Sequence, residues 1–148
     1  MTDKTNILLT VTTADCTPIL LYAPDRQVCA AVHAGWRGTV AAILRKTLDK
    51  MQAHFAVRPV DCYAYIGPCI DECSFEVDAD VADHFTSSFK RWDEARGKFF
   101  IDLKAANRAQ SLAAGLAPKN IEVSPYSTYT DNDQFFSYRK EKGKTGRM

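Results

Sequence analysis

Thr17-Pro18-Ile19-Leu20-Leu21-Tyr22, the turn Pro24-Asp25-Arg26-Gln27, and Val28-Cys29-Ala30-Ala31-Val32-His33 decide the fold of this chain. Two apolar runs separated by Pro/Asp turn chemistry predict an antiparallel hairpin. With Asp25 and Arg26 at its centre, His33 falls opposite Pro18, and Cys16 lies on the same face as Pro18. Diagonal neighbours in such a pair are roughly 7–8 Å apart or less. The hairpin therefore predicts that Cys16 and His33 share one site. Thiolate and imidazole are the side chains that best serve a zinc ion or a nucleophile–base pair.

Beyond His33, the run Ala34-Gly35-Trp36-Arg37-Gly38 opens a predicted helix over residues 36–55, with Val40, Ile43, Leu44, Leu48 and Met51 at helical spacing. The N–H groups of a helix start attract anions, and Arg37 adds a guanidinium fork there. Arg37 is thus a candidate anion-binding residue, against the plainer reading of a solvated first-turn charge. Other predicted strands are 7–12, 62–66 (buried), 99–101, 121–124 and 135–138; a further helix covers 77–89. Asp102 is a fair N-cap for a helix over 103–114, closed by Gly115. Strands and helices mix without strict alternation, so the fold class is α/β in the α+β sense, in one domain over residues 1–148.

Composition narrows the function. The charges nearly balance, at 19 basic and 18 acidic side chains, with no basic stripe to suggest a nucleic-acid partner. No apolar run approaches the ~20 residues of a membrane span, and no signal-peptide pattern is present. Five cysteines at irregular spacing do not form a secreted disulfide framework, so a reduced, cytoplasmic setting is expected.

Several motifs follow one another in a fixed order. They are Thr13-Ala14-Asp15-Cys16-Thr17-Pro18-Ile19-Leu20, His33-Ala34-Gly35-Trp36-Arg37-Gly38, Ile66-Gly67-Pro68, Phe75-Glu76-Val77, Phe135-Phe136-Ser137-Tyr138-Arg139 and Thr145-Gly146-Arg147. In these the chain resembles the laccase-domain (YfiH-like) family, once called multicopper polyphenol oxidases. That family is associated with purine nucleoside phosphorolysis, adenosine deamination and peptidoglycan editing. The resemblance implies a layered α/β/β/α fold similar to the catalytic domain of cytotoxic necrotizing factor, a cysteine-dependent deamidase. It implies a zinc site of one cysteine and two histidines, in which Cys16 and His33 match two of the ligands. The third belongs to an upstream Gln-Val-His-Gly motif that this sequence does not contain, so the chain reads as a fragment or as an N-terminally shortened relative, with doubtful zinc occupancy. The resemblance further places Arg139 near the pocket, where it would meet phosphate, against the alternative of a strand-end surface charge. The copper-oxidase label fits least, because multicopper oxidation needs many histidines and the chain has three.

Substitutes for the third ligand are few. His54 would lie roughly 27 Å along the helix from its start, while His84 stays a candidate. Cys69 and Cys73, without a second pair, read as ordinary thiols. Asp15 either orients His33 or caps a turn, and Glu76 is either a pocket acid or a helix-start charge. Ser127 stands where many family members have cysteine. Three functions remain open. The first is a zinc-dependent enzyme acting on purine nucleosides (adenosine, inosine or methylthioadenosine) by phosphorolysis, and on adenosine by deamination. The second is a metal-free hydrolase or deamidase with Cys16 as nucleophile and His33 as base. The third is an inactive binding or regulatory domain.

Overall fold

A computed structural model describes all of residues 1–148. The hairpin forms as expected: β1 (Thr17–Ala23) pairs antiparallel with β2 (Val28–Ala34), and Pro18 faces His33. The turn closes through the Arg26 N–H donating to the Ala23 carbonyl at 3.3 Å, with Gln27 at φ 52°. After β2 come α1 (Trp36–Val40), α2 (Ile43–Phe55), β3 (Tyr63–Ile66) and β4 (Glu76–Val77). They are followed by α3 (Ala79–Ala82), β5 (Lys90–Asp93), β6 (Lys98–Ile101), α4 (Leu103–Ala113) and β7 (Ile121–Val123). One sheet runs β2-β1-β3-β7, with β7 parallel to β3 and the other pairs antiparallel; the second runs β4-β6-β5.

Each sheet has its own core. On the larger one, the alternation of β1 turns Ile19 and Leu21 inward to meet Val28 and Val32 of β2 and Leu44, Leu48 and Met51 of α2. Its outer face keeps Leu20, Tyr22, Tyr63 and Tyr65 partly exposed. Strand β3 is therefore buried on one face only, where a fully buried strand was expected. The smaller core gathers Ile70, Val77, Phe85, Ile101 and Leu103 beneath α4. Asp102 caps α4 as expected, accepting from the Ala105 N–H at 2.8 Å, and Gly115 follows its end at φ 96°.

Four expected elements differ. Residues 7–12 join no ladder: Thr2 takes the free edge of β2 at Cys29, Asn6 turns the chain at φ 62°, and Leu8 is left 86% exposed. The helix expected over 36–55 breaks at Ala42, left-handed at φ 53°. The break lets α1 lie on α4, where the Thr39 carbonyl accepts from Gln110 Nε2 at 2.7 Å and the Thr39 hydroxyl accepts from Asn107 Nδ2 at 3.0 Å. The helix expected over 77–89 shrinks to the four residues of α3, because Glu76 and Val77 pair with β6 and Ser87–Phe89 form a 3-10 turn into β5. Residues 135–138 join no strand: Phe135 bends the chain, its N–H donating to the Asp131 carbonyl at 3.1 Å, and a turn begins at Tyr138.

Candidate active site

The register of the hairpin places Cys16 just before β1 and His33 near the end of β2, and both line one cavity of about 290 Å³. Gly35 makes this approach possible. A Cβ at that position would lie 2.8 Å from Cys16 Sγ, so the main chain after β2 can pack on the thiol only without a side chain. Cys16 is half-buried and His33 is exposed. Burial pushes the Cys16 thiol up from its ordinary value; the Asp15 carboxylate adds to the rise and Arg147 opposes it. Ile70 and Phe75 form the apolar floor.

The opposite wall comes from the C-terminal segment, which contributes Tyr138, Arg139 and Arg147. Its end is clipped to the strand entry: the Thr13 N–H donates to the Met148 carbonyl at 2.9 Å, and the Met148 N–H donates back at 3.0 Å. Arg139 stands over the Phe75 ring, 5.6 Å from its centroid, and donates from Nη1 to the Glu76 carbonyl at 3.0 Å. Arg147 lies 5.8 Å from the centroid of Tyr138. Neither guanidinium pairs with a carboxylate. Arg139 donates to the Glu76 carbonyl and Arg147 to the Gly146 carbonyl at 2.7 Å, so both cations meet neutral acceptors and no carboxylate. Cations beside aromatic faces suit a phosphate and a planar base.

The expected site residues divide accordingly. Cys16, His33 and Arg139 come together. Arg37 does not: α1 has only five residues, and the guanidinium lies on Trp36, 4.4 Å from the ring, outside the cavity. So short a helix sums few peptide dipoles. His84 is also elsewhere, stacked on Trp36 at 6.0 Å. Asp15 accepts from Thr128 and from the Arg139 main chain, which is the turn-capping alternative. Glu76 offers its carbonyl, while its carboxylate turns to Arg96 at 4.0 Å. Sequence reasoning assigned no role to Arg147, although it stood inside the quoted Thr145-Gly146-Arg147 motif.

The zinc expectation meets a limit in the donor set. Nowhere do three His, Cys, Asp or Glu side chains form a metal-binding group. Cys16 and His33 supply two donors, and zinc takes three or four from protein. The residues of this chain therefore do not by themselves fit the ion. A larger cavity of about 660 Å³ lies on the outer face of the four-stranded sheet, but Lys119 and Glu122 are its only charged side chains. It lacks a converging polar set, so the smaller pocket is the better candidate for chemistry. No helix is long and apolar enough to cross a membrane.

Comparison with known proteins places the chain in a family. The chain is 40% identical to a purine nucleoside phosphorylase of Bacteroides thetaiotaomicron over 154 residues, covering 100% of this chain and 57% of the relative. It is 39% identical to purine nucleoside phosphorylase YlmD of Geobacillus stearothermophilus, covering 99% of this chain and 56% of the relative. The crystal structure of that YlmD superposes with a TM-score of 0.84 at 39% identity, covering 92% of this chain and 53% of the other. The structure of the hypothetical protein YfiH of Bacillus licheniformis superposes at 0.86 with 34% identity, over 92% and 53% of the two chains. The chain thus spans a little over half the length of these relatives. The sequence profile of the family described as multi-copper polyphenol oxidoreductase laccase matches residues 1–148. The chain belongs to that family.

Proposed function

We propose that this chain carries the phosphate- and nucleoside-binding residues of a purine nucleoside phosphorylase. The observation that supports this most is the cavity in which Cys16 and His33 face two guanidiniums free of any carboxylate, Arg139 and Arg147. The relatives named purine nucleoside phosphorylase support the same reading. Arg139 and Arg147 hold the phosphate, Phe75 and Tyr138 flank the purine, and the cavity admits the ribose between them. A phosphate oxygen forms the new bond to the ribose C1′. The C1′–N9 bond breaks, and the purine leaves with its electron pair and takes up a proton. Adenosine, inosine and methylthioadenosine all present this bond.

Zinc would supply Lewis acidity at Cys16 and His33 only where a third donor joins them. Adenosine deamination belongs to the proposal under that condition alone. Five free thiols accord with the expected cytoplasmic setting. A second reading, amide hydrolysis by Cys16 with His33 as base, draws support from their opening on one cavity and from the proposed likeness to the toxin deamidase layering. The raised Cys16 thiol speaks against it.

The test is release of hypoxanthine from inosine by the 148-residue chain, with and without phosphate. Phosphate-dependent release with ribose 1-phosphate as co-product is expected, slow because two metal donors stand where three are needed. Release that ignores phosphate overturns the phosphorylase reading. Amide turnover blocked by thiol alkylation and indifferent to chelator would select the second. Binding of inosine without turnover under any condition would make the chain a binding domain.

A further inference from the structure

Asp15 occupies the least ordinary backbone position in the pocket. It is left-handed at φ 79°, although it is not glycine and directly precedes Cys16. Such a conformation persists where surrounding bonds over-determine it. Here the surrounding bonds are three. The Asp15 carbonyl accepts from the Ile70 N–H at 3.0 Å, its Oδ1 from the Thr128 hydroxyl at 2.7 Å, and its Oδ2 from the Arg139 main-chain N–H at 2.6 Å. One residue thus ties the strand entry to the Ile70 floor and to the C-terminal wall.

The partners it lacks are equally informative. A carboxylate lining the same cavity as Arg139 and Arg147 would be expected to pair with a guanidinium. Asp15 instead gives both oxygens to neutral donors. Its carboxylate holds Arg139 through the main chain and leaves the guanidinium, whose Nη1 donates to the Glu76 carbonyl, without a carboxylate partner.

We propose that Asp15 is a positioning residue: its carboxylate fixes the Arg139 backbone so that the guanidinium presents to the phosphate substrate, setting affinity for phosphate and not for the nucleoside. This rests on the phosphate reading above. Charge and position make opposite demands here. If Asp15 acted through its charge, removing a negative group from an anion pocket would tighten phosphate binding. If it acts by holding Arg139, the same change weakens binding.

The experiment is a titration of the full chain with inorganic phosphate, followed by 1H–15N spectra, in wild type, Asp15→Asn and Thr128→Val. Asparagine tolerates the left-handed conformation, which keeps the backbone out of the comparison. Asp15→Asn is expected to weaken phosphate about tenfold, the worth of one hydrogen bond to a charged group. Inosine affinity is expected to change less than about twofold, which is within the effect of a neutral surface change. The Arg139 amide proton, shifted downfield by the carboxylate in the wild type, should move upfield in Asp15→Asn and stay in Thr128→Val. Phosphate affinity that is unchanged or tighter in Asp15→Asn, beside an intact wild-type response, overturns the role of Asp15 alone. No phosphate response in the wild type overturns the phosphate reading and this role with it. Should Asp15→Asn not fold, the wild-type Arg139 amide decides: rapid exchange with solvent there overturns the proposal.

Discussion

The two walls of the pocket are built in different ways. Cys16 and His33 stand at the end of a hairpin whose ladder continues into β3 and whose inner face packs on α2. Tyr138, Arg139 and Arg147 stand on a segment of turns held by the Thr13–Met148 backbone pair and by side chains: Asp15 on Arg139, and Glu141 on the Ser137 N–H at 3.0 Å and on Asn132 Nδ2 at 2.9 Å. The first wall draws its stability from buried apolar area, the second from polar bonds that water can replace. Arg139 and Arg147 thus sit on the wall that polar bonds hold.

The difference is open to attack in graded ways. The largest effect is expected from Ile19→Ala. Ile19 is fully buried in the larger core, and a loss of about 2–5 kcal/mol should appear in denaturant unfolding across the whole chain. Gly35→Ala comes next. The new methyl must displace Cys16 Sγ, at about 1–3 kcal/mol for an overpacked contact, and alkylation of Cys16 should change in rate.

Glu141→Gln should act on the second wall alone, raising hydrogen exchange at the Ser137 amide while the β1–β2 ladder keeps its protection. Acid should imitate that variant. The Ser137 N–H holds the Glu141 carboxyl below its ordinary 4.5. Its contribution is fully present above that value and is lost as pH falls through the lowered one. Hydrogen exchange measured from pH 6 downward should therefore show the 137–141 turn loosening before the sheet. Uniform loosening would erase the distinction between the walls. The smallest effect is expected from Arg37→Ala. Arg37 is outside the cavity, so phosphate affinity should hold while Arg147→Ala weakens it, as paired titrations would show.

The same contrast explains what the sequence made legible. Turn chemistry at Pro24-Asp25 and the alternation of Ile19 and Leu21 fixed the hairpin register, and with it the meeting of Cys16 and His33. Asp102 announced its helix by a local capping bond. The second wall carried no periodic signal. Phe135 and Phe136 imitate a strand, but Ser137 and Glu141 close turns by bonds between side chain and backbone. Asp15 reaches Arg139 across 124 residues, a contact no local pattern encodes. Arg37 stands outside the cavity on a helix that ends after five residues, where Asn107 and Gln110 of the distant α4 bond Thr39. Ile7 and Leu9 have strand composition, yet the edge they would join is taken by Thr2.

The central claim is that both walls serve one ligand site. The most direct measurement follows the His33 ring and the Arg139 and Arg147 guanidinium resonances while inosine is added in the presence of phosphate. All three should shift together along a single saturation curve, and the curve should vanish in Arg139→Ala/Arg147→Ala. Shifts at His33 without the arginines, or shifts confined to Tyr22, Tyr63 and Tyr65 on the outer sheet face, would contradict it.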